Sequence, residues 1–135
     1  MRSRILTGAL LVVTVLFVAA TASDAGPTVR WAAGYLSEPT LIGSTIVQGP
    51  VLFVHDDARM ARGEPCTTVR LFEPGVGPLD EVASFHCTPI RRAAARSFTI
   101  TTRRNDALGF GCVLVEYQFA GDTEAHGVPM VDLAH

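Results

Sequence analysis

The sequence predicts an all-β fold, either a small β-sandwich or an open barrel of about seven antiparallel strands, preceded by a signal-peptide helix. Short runs of β-branched and aromatic residues recur along the chain, and Pro and Gly separate them. Within several of these runs apolar and polar residues alternate, which is the pattern of strands with one buried face. The chain beyond the N-terminal leader has the length of one domain.

The N-terminal segment has the three parts of a secretory signal. Arg2 and Arg4 precede an apolar run from Ile5 to Ala20, and Ala20-Thr21-Ala22 supplies the small residues that signal peptidase accepts. A transmembrane helix needs about 20 apolar residues, and this run is shorter. We therefore predict a signal peptide at residues 1–22 and a single exported domain at 23–135, periplasmic or secreted. A retained leader that tethers the domain to the membrane is the alternative.

Charge composition narrows the choice of partner. All 11 basic residues are Arg, against 13 Asp and Glu, and the net charge is -2. Removing Arg2 and Arg4 with the leader leaves nine Arg and a net charge near −4. This balance disfavours nucleic acid or an anionic surface as a partner. An envelope protein or a glycan remains a possible partner.

The strands and turns can be assigned in order along the chain. Pro and Gly mark the breaks between them, notably at Pro39 and at Gly49-Pro50. Only Asp56–Arg62 and Arg91–Arg96 are suited to a turn of helix. The predicted strands are Val29–Leu36, Leu41–Gln48, Val51–His55, Thr67–Phe72, Glu81–Cys87, Phe98–Arg103 and Cys112–Phe119.

The loop at residues 73–80 predicts a hairpin that brings two cysteines together. Symmetric pairing of the flanking strands sets Thr68 opposite Phe85 and Cys66 opposite Cys87. Opposed Cα atoms lie ~4.5–5.5 Å apart, within the range of a disulfide. Three cysteines in an exported chain indicate one disulfide and one thiol left over. We therefore predict a Cys66–Cys87 disulfide and a free Cys112.

Strict alternation along the last long strand predicts which residues enter the core. It assigns Val113, Val115, Tyr117 and Phe119 to the buried face and Cys112 to the polar face. The rest of the core is expected from Phe53, Val69, Leu71, Val82, Phe98 and Ile100.

A scattered set of polar residues could hold a transition metal. The candidate ligands are His55, His86, His126, Cys112 and Asp122, because imidazole, thiolate and carboxylate together suit Zn, Cu or Fe. Their spacing matches neither a zinc finger nor an H-E-x-x-H helix. Cys112, His126 and Met130 occur in the order of a blue-copper site, but the interval from Cys112 to His126 is longer than such sites use. Polar turns at His55 and His126 explain the same residues without a metal.

Five arginines cluster in the second half of the chain. An anion-binding patch is one interpretation, and a solvated surface is the other. The residues concerned are Arg91, Arg92, Arg96, Arg103 and Arg104.

Catalytic patterns are weak in this sequence. Asp57, Asp122 and Glu124 could act as general acids or bases, but no Ser lies in a nucleophile elbow. His86 and Cys87 are adjacent, so a strand would point them to opposite faces. The leading hypothesis is a non-catalytic binding or structural module of a bacterial envelope. A metal-binding periplasmic protein and a small hydrolase that uses Asp and His are the alternatives.

Overall fold

The computed structural model describes residues 28–109 and 111–130. The predicted signal peptide and its cleavage site lie outside these residues. Within the described part of the chain, no helix is both long enough and apolar enough to cross a membrane.

The described chain is mostly β-strand, with two short helical segments. In chain order the elements are β1 (Val29–Ile42), β2 (Thr45–Asp56), α1 (Asp57–Ala61), β3 (Thr67–Glu73), β4 (Gly77–Phe85), β5 (Thr88–Arg91), β6 (Thr99–Arg104), the 3₁₀ turn Asp106–Leu108, β7 (Cys112–Gln118) and β8 (Glu124–Gly127). The all-β prediction is confirmed. Two short strands, β5 and β8, were not predicted.

The eight strands in residues 28–109 and 111–130 belong to one open sheet. Its linear order is β4-β3-β2-β1-β7-β8-β5. Strand β6 lies outside this order and pairs with β7. The predicted purely antiparallel arrangement is wrong at one place, because β1 and β7 pair in parallel through Thr40 with Cys112 and Leu41 with Val113. This short parallel contact joins the N-terminal strands β1–β4 to the C-terminal strands.

The sheet curves so that its two halves face each other across the core. Phe53 of β2 packs on Tyr117 of β7 with ring centroids 4.9 Å apart. The hydroxyl of Thr67 in β3 forms a hydrogen bond with the Tyr117 hydroxyl, although β2 and β1 separate these strands in the sheet. The enclosed face is the hydrophobic core.

Several predicted breaks are wrong because strands run through them. Pro39 lies inside β1, at a register irregularity between Leu36 and Thr40, and Gly49-Pro50 lies inside β2. The predicted strand Leu41–Gln48 instead spans the turn between β1 and β2. Gly43 permits that turn, since its φ is 61°, a value that favours glycine.

One of the two predicted helical turns is present. Asp56 caps α1 by accepting hydrogen bonds from the amides of Ala58 and Arg59 at 2.9 and 3.1 Å. The second prediction, at Arg91–Arg96, is wrong, since Arg91 ends β5 and Ala95 forms a bridge with Ala120.

The β3–β4 hairpin forms with a different register from the predicted one. Thr67, not Thr68, lies opposite Phe85, and the ladder contains two irregularities nearer the turn. The strands also extend to Glu73 and Gly77, because Gly75 and Gly77 adopt positive φ and close a tighter turn.

A bulge in β7 overturns the strict alternation predicted there. Thr101 pairs with Glu116 while Thr102 pairs with Leu114, so Val115 is an extra residue. Leu114 and Tyr117 therefore both enter the core, and Cys112, assigned to the polar face, is buried. Of the other predicted core residues, Phe53 and Val69 are fully buried. The partly buried ones that pack against them are Leu71, Val82, Phe98 and Ile100.

Candidate metal centre

Two histidines and a cysteine meet in the core at one end of the enclosed face. His55 lies at the end of β2, His126 lies in β8, and Cys87 lies in the link between β4 and β5. One potential ligand atom from each residue lies within 4.8 Å of the others. His55 is 1% exposed, His126 is 0% exposed and Cys87 is 9% exposed, so the cluster is shielded from water.

The strand registers explain why these side chains converge. His55 is the cross-strand neighbour of Thr67, and His126 is the cross-strand neighbour of Tyr117. Opposed residues of an antiparallel pair project to the same face. The two pairs meet when the sheet folds, which brings the rings of His55 and His126 to a centroid distance of 4.2 Å.

Tyr117 fixes the orientation of His126. The two rings stack with centroids 4.9 Å apart and an interplanar angle of 23°. Phe119 packs edge-on against the same imidazole at 6.0 Å. The Tyr117 hydroxyl is engaged with Thr67, which keeps the phenol ring in place beside the imidazole.

Hydrogen bonding within the cluster is incomplete. His126 Nδ1 lies 3.7 Å from Cys87 Sγ, but His126 Nε2 is buried without a hydrogen-bond partner among the described residues. His55 Nδ1 lies 3.1 Å from the Asp57 carboxylate, but the angle does not meet hydrogen-bond geometry. His55 Nε2 has no such partner in the described chain. A buried polar atom without a hydrogen-bond partner costs about 1–3 kcal/mol, so these nitrogens destabilise the folded state.

The surroundings keep these groups uncharged at neutral pH. Burial, with the neighbouring His55 and Arg30 charges, lowers the pKa of His126 to about 4. Burial also lowers the pKa of His55, although the nearby Asp57 carboxylate opposes the shift. Burial and the adjacent Cys66 raise the pKa of the Cys87 thiol to about 12. The site thus offers two neutral imidazoles and one protonated thiol in a shielded volume.

Cys66 lies directly beside the cluster, just before β3. Its Sγ accepts a hydrogen bond from the Cys87 amide at 3.1 Å, and its thiol faces the Phe85 carbonyl at 4.0 Å. The structure therefore brings Cys66 and Cys87 side by side, although the hairpin register differs from the predicted one. It does not show the predicted disulfide, because both residues are free thiols here.

The predicted metal ligands divide into two groups. His55 and His126 come together, whereas His86 is exposed and does not belong to the cluster. Cys112 lies elsewhere, where its thiol donates to Glu38 at 3.3 Å. Asp122 forms an ion pair with Arg30.

Cys87 is the site residue that the ligand prediction missed. The sequence pattern places its sulfur in a disulfide and favours Cys112 as the thiolate. The predicted pairing with Cys66 carried a usable signal, since it placed Cys87 beside a second cysteine at the end of the hairpin ladder.

Arg30 is partly exposed and packs on Phe119, which in turn contacts His126. Its guanidinium pairs with Asp122 and lies 4.8 Å from the centre of the Phe119 ring. Of the carboxylates considered for acid–base chemistry, Asp57 borders His55 and Asp122 is engaged with Arg30. Glu124 is exposed on β8.

Four of the five clustered arginines have separate neighbours, and Arg96 is exposed. Arg92 pairs with Glu116 at 2.8 Å, and Arg104 pairs with Glu38 at 3.1 Å. Arg103 donates to the Met130 sulfur at 3.5 Å. Arg91 lies across from Glu124 in the β5–β8 ladder. Carboxylates thus already neutralise part of the predicted anion patch.

Comparisons with protein-family models, with curated protein sequences and with solved structures find no match for this chain.

Proposed function

We propose that this protein is a non-catalytic β domain that binds one transition metal ion through His55, Cys87 and His126. One observation carries the proposal. Three buried potential ligand atoms lie within 4.8 Å of each other, and His55 in this cluster has an Nε2 atom with no hydrogen-bond partner in the described chain. A bound cation would satisfy that nitrogen, which otherwise destabilises the fold.

The donor set favours zinc or copper. Imidazole and thiolate ligands suit these ions, whereas Mg²⁺ and Ca²⁺ require oxygen ligands. Zinc binds nitrogen at about 2.0–2.1 Å and sulfur at about 2.3 Å, which in a tetrahedral site separates the N and S ligands by roughly 3.6 Å. The 3.7 Å between Cys87 Sγ and His126 Nδ1 agrees with that separation.

Asp57 supports the His55 ligand from the outer side. Histidines that bind metals usually present their second ring nitrogen to a carboxylate, which fixes the ring orientation. The Asp57 carboxylate lies 3.1 Å from His55 Nδ1, which leaves Nε2 for the ion.

Sequence patterns support an extracytoplasmic location. The leader at residues 1–22 has the charge, apolar run and small residues of a cleaved signal. We propose that the domain at 23–135 is exported to the periplasm or secreted, where an envelope protein or a glycan is a candidate partner. In that oxidising setting a Cys66–Cys87 disulfide would compete with metal for the Cys87 sulfur.

Metal analysis of the reduced, untagged protein tests the proposal. After incubation with Zn²⁺ and gel filtration, the protein should retain about one equivalent of zinc. His126→Ala and Cys87→Ser should each retain much less, because each removes a ligand. His86→Ala and Cys112→Ser are matched controls and should retain as much as the wild type. Absence of both zinc and copper from the reduced wild-type protein would overturn the proposal.

A further inference from the structure

The three-residue cluster leaves one position of a tetrahedral ion unfilled. Structural zinc sites are almost always four-coordinate, whereas catalytic sites keep one position for water. The fourth ligand therefore decides between a closed site and a reactive one. In the structure, the Cys66 sulfur lies next to the Cys87 backbone at the edge of the cluster.

We propose that Cys66 is the fourth ligand, so that two cysteines and two histidines enclose the ion. This inference rests on the proposed metal-binding function. It deepens that proposal, because a closed site implies a metal that holds the fold together and has no position for substrate.

Backbone contacts hold Cys66 against both sides of the site. Its carbonyl accepts a hydrogen bond from the Asp56 amide at 2.9 Å, which links it to the strand end that carries His55. Its sulfur accepts from the Cys87 amide at 3.1 Å. The next residue, Thr67, is paired with His55 in the β2–β3 ladder. Cys66 is thus fixed relative to two of the three proposed ligands.

Burial and a backbone hydrogen bond hold the Cys66 sulfur at the edge of the cluster. The residue is 3% exposed, so water does not compete for its sulfur. The Cys87 amide donates to that sulfur at 3.1 Å, which ties it to a proposed ligand residue. Cys112 is also buried, but its thiol donates to Glu38 and it lies outside the cluster.

A second thiolate would also select the class of ion. Two sulfur donors and two imidazoles in a buried tetrahedral set favour zinc, or copper in its reduced state, over harder cations. The ion would join β2, the start of β3, the β4–β5 link and β8. These segments come from both halves of the folded sheet.

X-ray absorption on the zinc-loaded wild-type protein counts the ligands directly. We expect scattering from two sulfurs and two nitrogens at about 2.3 and 2.0 Å. One sulfur, with the remaining positions filled by nitrogen or oxygen, would overturn the inference but leave the proposed function standing. A protein that retains no zinc would overturn the proposed function itself.

Cobalt substitution provides an independent comparison of variants. The wild-type protein loaded with Co²⁺ should show a thiolate-to-cobalt charge-transfer band in the near ultraviolet. In Cys66→Ser this band should fall to about half, because one of two thiolates is lost. Cys112→Ser should keep the full band. A full band in Cys66→Ser would show that Cys66 is not a ligand.

Discussion

A buried imidazole destabilises a protein when its ring nitrogens are left without partners. His126 is fully buried, stacks on Tyr117 and has an Nε2 atom with no hydrogen-bond partner among the described residues. Its neutral form is tolerated in the metal-free protein, but its charged form is strongly disfavoured. This asymmetry predicts a measurable dependence of stability on pH.

The metal-free protein should lose stability as the pH falls from about 6.5 to about 4. Burial lowers the pKa of His126 to about 4 in the folded state, against 6.5 for an ordinary histidine. In this interval the unfolded chain binds a proton that the folded chain excludes, so protonation favours unfolding. The loss should reach on the order of 3 kcal/mol, and the lowered pKa of His55 acts in the same direction.

Urea unfolding at a series of pH values, with a chelator present, measures this effect. His126→Gln should make the dependence between pH 6.5 and 4 clearly shallower, since one of the two buried histidines that gain a proton on unfolding is gone. His86→Gln removes an exposed histidine and should keep the wild-type slope. An equal slope in His126→Gln and the wild type would contradict the prediction.

Individual ligands could be predicted from sequence only in part. His55 and His126 stand out because carboxylates flank them, and both belong to the cluster. The predicted Cys66–Cys87 disulfide leaves Cys112 as the free thiol, and strict alternation places Cys112 on a polar face. The bulge at Val115 breaks that alternation, and a single sequence does not reveal where a strand gains an extra residue.

At the scale of elements, short strands with polar sequences were the ones that escaped prediction. β8 spans only Glu124–Gly127, and the sequence around His126 is interpreted as a polar turn. It forms because β7 and β5 pair with it on both sides. The parallel contact between β1 and β7 likewise depends on tertiary packing and not on local sequence.

Gly111 should be the least replaceable glycine at the entry to β7. Its φ is 74°, and a Cβ atom there would lie 2.3 Å from the carbonyl oxygen of Pro39 in β1. Gly111→Ala therefore combines backbone strain with a clash against backbone that cannot yield easily. We expect it to cost about 1–3 kcal/mol more than strain alone.

Gly109→Ala is the matched control for this prediction. Gly109 has a φ of 70°, and a Cβ atom there would meet nothing within 4 Å. Its replacement should cost only the strain of a left-handed alanine, about 1–2 kcal/mol. Chemical denaturation of the two variants measures the difference. Equal losses would show that the approach of β7 to β1 is looser than the structure indicates.

At the scale of the whole molecule, one small polar layer lies where the two halves of the sheet meet. His55 and Thr67 belong to the N-terminal half, and Tyr117 and His126 belong to the C-terminal half. The halves share a long hydrophobic core, but among the described residues only a short parallel pairing joins them within the sheet. An ion bound in this layer would cross-link segments that are distant in sequence.

Metal binding should consequently stabilise the entire fold and not one loop. A ligand that binds only the folded state at 100 times its Kd adds about 2.7 kcal/mol, which for a domain of this size raises Tm by roughly 10–20 °C. Differential scanning calorimetry of the reduced protein across a zinc series should show one transition that moves upward with concentration. Cys112→Ser should follow the wild type, whereas His126→Ala should not respond. If the transition splits, or if His126→Ala shifts as far as the wild type, the ion does not bridge the two halves of the sheet.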